Sequence, residues 1–348
     1  MTAGRWLELG SLSAEALHGA YIGLAEAQPV DGAPLLVTAT TDQGHVCLGA
    51  TETPSAVDHG RCRRAGTPVL RRPLGGGTVW VDGDQQPLFL IWPGGGGSRR
   101  GEREALALEA LAAVHRRFGP PAEVVGRDVW CAGRKVLGSG SATIGASWVF
   151  ASALLWRFPA RRFARLMAAP SPGYRRWLAR ELAAGMAPWT RFAPRPEPTE
   201  LNRVLREALG QALTIDWQPD APTPAEQTAM ATAATEIADD AREAAETEVG
   251  ANSRLPGAIK VNHRTYLVEG ADVRLLLTDN RIARAATLEA ENETARPRWH
   301  GCAANRTELT AAGATPEQAE AIEALVAPIQ RQAGWSRTTS EPERRAEV

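Results

Sequence analysis

The sequence predicts a mixed α/β fold followed by a small α+β domain. Three observations support this: helix-like and strand-like segments alternate before residue 170, apolar residues make up 44% of the 348 positions, and a second group of β-prone runs lies between residues 266 and 288. The apolar content suffices for a sizeable core, and the length allows one large and one small domain.

The elements of the first half follow from local patterns. An amphipathic helix is predicted over Leu12–Ala27, because Ser13 can cap it and Leu17, Tyr21 and Leu24 share one face. The predicted strands are Pro34–Thr40, His45–Gly49, Pro68–Leu70, Thr78–Val81 and Leu88–Trp92. The further predicted helices are Val57–Ala65, Glu102–Phe118 and Ala160–Met167, the last one started by Pro159.

The pattern of residues in the second half of the sequence predicts a boundary between two domains. Helices are expected at Leu201–Leu213 and Pro224–Glu248, and a break between domains at Asn252–Gly257. Strand-forming runs then surround a turn at Asp279-Asn280, and a last helix, Glu317–Ala327, is expected to end at Pro328. The predicted organisation is a large domain over 1–250, a small domain over 257–332 and a disordered tail over 335–348.

Composition and charge exclude several classes of protein. The formal net charge of −1 gives no general attraction to nucleic acid or to a membrane surface. No apolar run reaches spanning length and the N-terminus lacks the apolar core of a signal peptide, so the expected location is the cytoplasm. The four cysteines lack metal-binding spacing and are expected to be reduced and mostly buried.

A first motif places three glycines after an arginine pair. Arg71 and Arg72 precede Gly75, Gly76 and Gly77. Glycine lets a ligand approach the backbone, successive N–H groups can bind an anion, and arginine adds planar donors. The motif therefore predicts a cradle for an anionic ligand; the alternative is a hairpin turn with two surface arginines.

A second motif, Gly126–Gly140, holds one lysine between two glycine-rich turns. Only two of the 39 basic residues are lysines, Lys135 in this motif and Lys260. Ammonium and guanidinium groups differ where a compact charge is required. A chemical role for Lys135 therefore stands beside the alternative that two lysines survive by chance.

Together the two motifs resemble the lipoate–protein ligase and octanoyltransferase family, with gaps, from about Trp6 to about Met167. This family is related in fold to biotin–protein ligases and to class II aminoacyl-tRNA synthetase cores. The resemblance implies a catalytic domain of that two-layer type with a small C-terminal accessory domain. It implies an ATP-dependent ligase that converts lipoate to lipoyl-AMP with Mg²⁺ and then acylates a lysine of a carrier. The expected carriers are an E2 lipoyl domain and a protein similar to the glycine cleavage H protein.

The resemblance also assigns roles to residues. Lys135 would be catalytic, neutralising charge on the α-phosphate and on the attacking carboxylate. Gly75–Gly77 would line the acyl-phosphate path, with Arg72 the phosphate or carboxylate contact and Arg71 either a second contact or a support for the loop. Asp82 and Asp128 could each hold Mg²⁺, bond the adenosine or cap a turn. The predicted binding set also includes Thr78, Gly138 and Ser139.

Departures from the family pattern leave two alternatives open. Val81 replaces a histidine, Arg127 replaces an asparagine, and Ala151–Leu155 lacks the histidine of a His-Gly-Thr-Leu-Leu segment. The chain is therefore interpreted as a divergent member, and a non-catalytic partner of a lipoyl carrier is one alternative. The other is an acyltransferase that uses a cysteine instead of ATP. Cys131 is interpreted as a buried small residue and not as that nucleophile.

Two further expectations concern surfaces. A narrow apolar tunnel for the acyl chain is expected beside the glycines, with Leu74, Val79 and the strand residues near Leu88–Ile91 as walls. The segment from Arg157 to Arg195 contains nine arginines and one acid, Glu181. It is interpreted as a solvated face or, alternatively, as a docking face for an acidic partner.

Overall fold

The computed structural model describes residues 1–248, 258–262, 264–270, 272–289, 292–295 and 297–335. These residues form two compact units. Residues 1–167 and 182–248 belong to the first unit, and Ala168–Glu181 joins the described residues from Ala258 onward in the second. The predicted break at Asn252–Gly257 lies outside the described residues, and so does the predicted tail, 335–348, except for Trp335, which packs against the core of the second unit. The domain bounds therefore stay a prediction.

The described helices and strands alternate along the first part of the chain, as predicted. The strands are β1 (Thr2–Leu12), β2 (Leu35–Thr41), β3 (His45–Leu48), β4 (Val69–Arg71), β5 (Val79–Val81), β6 (Gln85–Trp92), β7 (Ala122–Val125), β8 (Asp128–Cys131), β9 (Arg134–Ile144), β10 (Ser147–Leu155), β11 (Ile215–Asp220), β12 (Ala258–Asn262), β13 (Thr265–Gly270), β14 (Val273–Thr278), β15 (Arg281–Glu289) and β16 (Asn292–Ala295). The helices are α1 (Ala14–Ala27), α2 (His59–Arg64), α3 (Arg100–Phe118), α4 (Ala160–Leu166), α5 (Pro172–Gly185), α6 (Pro198–Leu213), α7 (Pro224–Glu248), α8 (Arg306–Ala311) and α9 (Pro316–Ala333).

An eight-stranded sheet organises the first unit, in the order β11-β1-β2-β6-β10-β9-β8-β7. The strand β1 runs parallel to both of its neighbours, and the remaining pairs are antiparallel. A separate three-stranded sheet, β4-β3-β5, joins the segments on either side of the glycine motif.

Each face of the large sheet carries its own core. On one face Leu36 and Leu90 pack with Leu108 and Leu111 of α3. On the other face, apolar residues of β2 and β6 pack with α1 and α7, including Leu17. The predicted α/β class is confirmed, and helices cover both faces, one layer more than the two that were expected.

Helices α1 and α7 pack backbone to backbone. A methyl group at Gly19 would lie 2.5 Å from the amide nitrogen of Ala234, and one at Gly23 would lie 2.4 Å from the carbonyl carbon of Ala229. Both glycines are therefore required for this close helix packing. The predicted cap of α1 is also present, because the Ser13 side chain accepts a hydrogen bond from the Ala16 amide at 3.2 Å.

The second unit contains an antiparallel meander, β12-β13-β14-β15-β16, packed on α9. Its turn at Asp279 and Asn280 has positive φ at both residues, 50° and 63°, as expected of a tight hairpin. A buried ion pair joins Arg274 to Glu269, with Nε 2.6 Å from the carboxylate.

The predicted end of the last helix is wrong. Helix α9 continues through Pro328 to Ala333, although proline removes a donor and crowds the preceding turn. Beyond the proline, Ile329 is buried in the same core as Ile322 and Val326. Packing of this face outweighs the local cost of the proline, which is itself exposed.

Two strands of the large sheet lack a clear sequence signal. The strand β1 contains two glycines and the charged residues Arg5 and Glu8, and it is held between two parallel neighbours. The strand β11 contains Pro219, which an edge strand tolerates because its outer donors need no partner.

Candidate active site

Lys135 lies at a β-bulge between β8 and β9. Lys135 pairs with Trp130, whereas Leu137 pairs with Val129, so Val136 is one residue too many for the ladder. Val136 and Leu137 consequently both face the same core. The bulge interrupts the usual alternation and moves Lys135 to the opposite face of the sheet from these two residues.

The side chain of Lys135 lies across Gly138. Its Nζ is 2.7 Å from Oδ1 of Asp128, which pairs with Gly138 across the ladder. Their side chains are 21% and 8% exposed. A methyl group at Gly138 would lie 2.7 Å from Nζ and 2.8 Å from Cε of the lysine. Glycine at 138 therefore leaves the space that the ammonium group occupies.

Arg72 holds the glycine loop, Gly75–Gly77, from inside. Its Nη2 donates to the carbonyls of Gly75 at 3.1 Å and Gly77 at 2.8 Å, and its Nη1 donates to the Cys47 carbonyl at 3.0 Å. The residue is only 9% exposed. Since these donors are used within the protein, the structure gives Arg72 a loop-holding contact, and its predicted contact with a ligand stays a prediction.

Arg71 holds the neighbouring loop. Its Nη1 lies within hydrogen-bond distance of the carbonyls of Gly49, Ala50 and Glu52, at 3.0, 3.2 and 2.6 Å. Sequence reasoning left this support role open for Arg71 and did not include Gly49 among the site residues. A methyl group at Gly49 would lie 1.8 Å from the Gly76 carbonyl oxygen, so the two loops touch through their backbones.

The glycine loop has unused hydrogen-bond donors. Within the described residues, the amides of Gly75, Gly76 and Gly77 donate to no acceptor. Gly76 has a φ of +96°, a conformation that favours glycine. The Thr78 Oγ1 is buried and also lacks a partner in the described chain. Buried polar atoms are usually paired, so these groups identify a place where a polar ligand could bind.

Strand β9 brings the two motifs together. A methyl group at Gly140 would lie 3.1 Å from the Gly75 carbonyl, just as one at Gly138 would meet Lys135. Positions two apart on a strand face the same side, about 7 Å from each other. Lys135 and the glycine loop are therefore neighbours on one face of β9.

Two of the predicted site residues have local roles in the structure. The Asp82 carboxylate accepts hydrogen bonds from Trp80 Nε1 at 2.5 Å and from the Asp84 amide at 3.0 Å, which caps the turn before β6. The Ser139 hydroxyl donates to the Arg127 carbonyl at 2.7 Å. Capping was one of the options predicted for Asp82, whereas Ser139 lies on the opposite face of β9 from Lys135.

Sequence reasoning missed a polar cluster behind this strand. The Arg127 Nη2 lies 2.9 Å from a carboxylate oxygen of Glu104 and 2.8 Å from the Ser141 hydroxyl, which itself donates to Glu104 at 3.2 Å. The cluster ties α3 to β9 on the face away from Lys135. The arginine at the family's asparagine position was visible in the sequence, but its partners were not.

A buried hydrogen-bonded chain runs beside Arg72. Tyr21 Oη is 3.4 Å from Nδ1 of His18, the two histidine Nε2 atoms are 3.0 Å apart, and Nδ1 of His45 is 3.0 Å from the Gln43 carbonyl. Two neutral histidines satisfy all three contacts in one arrangement. In it, Tyr21 Oη donates to Nδ1 of His18, Nε2 of His18 donates to Nε2 of His45, and Nδ1 of His45 donates to the Gln43 carbonyl. Burial, with Arg72 adding to it, lowers the pKa of His18 to about 3. Burial and His18 lower the pKa of His45 to about 4.

The expected walls of an acyl tunnel fall into different environments. Leu74 packs with Phe89 and Ile91 in the core beside α1 and α7. The alternate residues of Leu88–Ile91 face the opposite core, as expected for a strand buried on both faces. Val79 is 39% exposed. Of the residues expected to form the wall, Leu74, Phe89 and Ile91 therefore lie together in one apolar environment.

The cysteines do not provide an activated thiolate. Cys47, Cys62 and Cys131 are buried, and burial raises the pKa of all three, that of Cys62 to about 11. The pKa of Cys302 is also raised by burial. Cys131 is a core residue of β8, in agreement with its interpretation from the sequence.

The described residues contain neither a metal-binding cluster nor a membrane-spanning helix. Within the described part of the chain, no group of three or more His, Cys, Asp or Glu side chains is placed to hold a metal ion. None of the described helices has the length and apolar character needed to cross a bilayer.

Three solved structures share the fold. A bipartite lipoate protein ligase, studied with its E2 lipoyl domain from Thermoplasma acidophilum, has a TM-score of 0.62 at 20% identity, covering 68% of this chain and 93% of that one. Lipoate-protein ligase A bound with ATP has a TM-score of 0.57 at 17% identity, with coverages of 68% and 95%. P. falciparum LipL1 in complex with lipoate has a TM-score of 0.55 at 10% identity, with coverages of 94% and 100%.

A family model gives the assignment. No curated protein sequence matches the chain. Residues 25–208, however, match the model described as lipoyl protein ligase A/B catalytic domain. The matched range covers more than half of the chain and contains the glycine loop, Lys135 and Asp128. The chain belongs to the lipoyl protein ligase A/B catalytic domain family.

Proposed function

We propose that this protein is an ATP-dependent lipoate–protein ligase. The observation that carries the proposal is the position of Lys135, paired with Asp128 over Gly138, on the same face of β9 as a glycine loop with unused donors. Support comes from two relatives in fold, one determined with ATP and one with lipoate. A fixed ammonium beside free amides suits a reaction between two anions, a carboxylate and a phosphate.

In the first step, a lipoate carboxylate oxygen attacks the α-phosphorus of ATP. The bond from that phosphorus to the bridging oxygen breaks, and pyrophosphate leaves with the electron pair. Lys135 reduces the repulsion between the anions and balances the charge that develops on the phosphate. The amides of Gly75–Gly77 and the Thr78 hydroxyl hold the reacting oxygens, while Arg71 and Arg72 keep the two loops in place.

In the second step, the ε-amine of a carrier lysine attacks the acyl carbonyl carbon of lipoyl-AMP. An amide bond forms, AMP leaves, and the amine loses a proton. The proposed carrier is an E2 lipoyl domain or a protein similar to the glycine cleavage H protein. The T. acidophilum ligase was studied with its E2 lipoyl domain, which supports a carrier of this kind.

A magnesium ion carried by ATP fits this arrangement. Mg²⁺ often takes only one or two protein carboxylates together with phosphates and water. Asp128 would be that ligand, because it lies beside Lys135 on the face of β9 that adjoins the glycine loop, whereas Asp82 is engaged with Trp80 and Asp84. The ion would neutralise phosphate charge, and the roles given to the residues above do not depend on it.

The alternatives have weaker support. A transferase without ATP would use a cysteine thiolate, and the buried cysteines with raised pKa values disfavour it. A non-catalytic partner of a lipoyl carrier would explain Val81 and Arg127, which depart from the family pattern. That alternative gives no chemical role to the ion pair of Lys135 and Asp128 over Gly138.

The test is ATP–pyrophosphate exchange with lipoate, octanoate and biotin side by side. We expect exchange with lipoate or octanoate, none with biotin, and loss of exchange in a Lys135→Ala variant that still unfolds cooperatively. Acylation of apo lipoyl domain or apo H protein, followed by mass spectrometry, measures the second step. Acylation from octanoyl-carrier without ATP would favour the transferase, and binding of the carrier without any exchange would favour the non-catalytic partner.

A further inference from the structure

Helices α2 and α4, with the segment just before α4, form a basic ridge on the first unit. The Asp58 amide before α2 donates to the Leu166 carbonyl of α4 at 2.8 Å, and Val57 forms a bridge with Met167. Buried Cys62 has its Sγ 3.9 Å from the same Leu166 carbonyl. These contacts set the position of one helix backbone relative to the other, so the arginines on the two outer faces start from neighbouring positions.

The ridge carries uncompensated positive charge. Its exposed arginines are Arg63 and Arg64 of α2, Arg161, Arg162 and Arg165 of α4, and Arg157 in the segment before α4. Arg61 pairs with Asp58 at 2.9 Å, and none of the six exposed arginines has a carboxylate within ion-pair distance among the described residues. The whole chain has a net charge of −1, so this concentration is local. Unpaired arginines on one surface favour an acidic partner.

The ridge adjoins the candidate active site at both helices. Five residues separate Glu52, whose carbonyl Arg71 holds, from Asp58 at the start of α2. On the other helix, the Arg162 guanidinium lies 4.6 Å from the ring centre of Trp80, in the strand that leaves the glycine loop. The basic surface is thus attached to both segments that form the loops of the site.

We propose that the α2–α4 ridge binds the acidic surface of the carrier domain that receives the acyl group. This inference rests on the proposed function and assigns the partner a surface. A carrier that binds there presents its lysine next to the loop where the acyl-adenylate would form. The arginines attract the partner and orient it, and they take no part in the adenylation step.

The composition of the ridge favours a protein over a membrane. Interfacial helices insert large apolar side chains beside their basic residues. The exposed large hydrophobic residues of the described chain are Met1, Val30 and Val79, none of which lies on the ridge. The docking face that the sequence predicted over nine arginines is therefore narrowed to Arg157 and the arginines of α4. The arginines of α2, which the sequence prediction did not include, join them.

The double variant Arg161→Glu/Arg165→Glu tests the surface. These two side chains are exposed and one helical turn apart, whereas Arg162 contacts Trp80 and would disturb the strand. The matched control is Arg117→Glu/Arg191→Glu, which makes the same charge change at two exposed positions of the first unit, one on α3 and one in the segment before α6. A neutral pair, Arg161→Gln/Arg165→Gln, guards against misfolding caused by the new acids, and thermal unfolding is measured for all.

The experiment measures the affinity for purified apo E2 lipoyl domain and apo H protein at 25 and 300 mM salt. It also measures the rate of acyl transfer, divided by the rate of ATP–pyrophosphate exchange of the same variant. We expect the Glu pair to weaken binding and transfer roughly 10- to 100-fold at low salt, the Gln pair by less, and the control pair by under about twofold. The difference should shrink at 300 mM salt. Exchange alone reports on the proposed function, and carrier binding alone reports on the ridge.

Equal effects of the ridge and control variants would overturn the proposal. So would unchanged carrier binding combined with loss of binding to phosphatidylserine vesicles or to a single-stranded oligonucleotide of matched charge, since the ridge would then serve another class of partner. Absence of exchange in the wild-type protein, with carrier binding still dependent on Arg161 and Arg165, would reject the enzyme and keep the docking surface.

Discussion

The ammonium of Lys135 lies 2.7 Å from the carboxylate of Asp128, over a position where only glycine leaves room for it. Asp128 therefore holds the lysine in place, with both side chains largely buried. During the proposed reaction the ammonium has to balance charge on phosphate and carboxylate as well. A compact group that can turn between several oxygens suits this better than a planar one.

Replacement Lys135→Arg tests this requirement. The guanidinium keeps the charge but is wider, so it should misplace the reacting groups and lower adenylate formation by roughly 100- to 1000-fold, with the fold and ATP binding retained. Lys260→Arg is the control, because Lys260 is exposed on β12 in the second unit. Pyrophosphate exchange measures the effect, and near-normal exchange in Lys135→Arg would remove Lys135 from the catalytic role.

Replacement Gly138→Ala tests the space beneath the lysine. The new methyl group meets the flexible end of Lys135 and not backbone, so the ammonium should move while stability changes by less than about 1 kcal/mol. Displacement of a reacting group by about 1 Å can cost on the order of 100-fold in rate. Gly101→Ala is the control, since a methyl group there has no neighbour within 4 Å. Full exchange activity in Gly138→Ala would mean that the observed lysine position is not used.

Replacement Arg72→Lys separates loop support from ligand contact. One ammonium cannot reach the three carbonyls of Cys47, Gly75 and Gly77 that the guanidinium joins, so we expect a loss of roughly 2 to 3 kcal/mol in the free energy of unfolding. Arg116→Lys is the control, because that arginine is exposed and its Nη1 reaches one carbonyl. Weakened lipoate binding at unchanged stability would instead support the ligand contact that the sequence predicted.

Local signals predicted much of the fold. The cap at Ser13, the turn at Asp279 and Asn280, and the bounds of α7 all depend on residues close in the chain, and each agrees with the structure. The end of α9 could not be read in this way, because core packing of Ile329 on residues distant in sequence decides it. Strand β1 likewise owes its conformation to its two neighbours in the sheet.

The candidate site was only partly visible in the sequence. Glycine runs and a rare lysine marked the segments that β9 brings together. Ordinary alternation would place Lys135 and Gly138 on opposite faces, so their contact depends on the bulge at Val136, which has no local signature. The loop-holding contacts of Arg72 and the partners of Arg127 required long-range information for the same reason.

The last prediction concerns three buried histidines. Burial lowers the pKa of His18 to about 3 and those of His45 and His115 to about 4, against 6.5 for an exposed group. All three are therefore neutral in the folded protein, whereas the unfolded chain takes up protons below about pH 6.5. Above that pH the histidines are neutral in both states and do not change the free energy of unfolding. As the pH falls from about 6.5 toward 4, protonation of the unfolded chain lowers the free energy of unfolding.

Each histidine should contribute a slope of about 1.4 kcal/mol per pH unit in this window, so three together approach a typical free energy of unfolding within two to three units. Urea unfolding at pH 7.5, 6.5, 5.5 and 4.5 measures the slope. His115→Gln should reduce it by roughly one third, because His115 is buried and bonded through Nδ1 to the Leu111 carbonyl at 2.8 Å. The variant also loses ring packing against Trp189, but that loss is the same at every pH and leaves the slope as the readout. An unchanged slope in His115→Gln would show that this histidine does not drive acid unfolding.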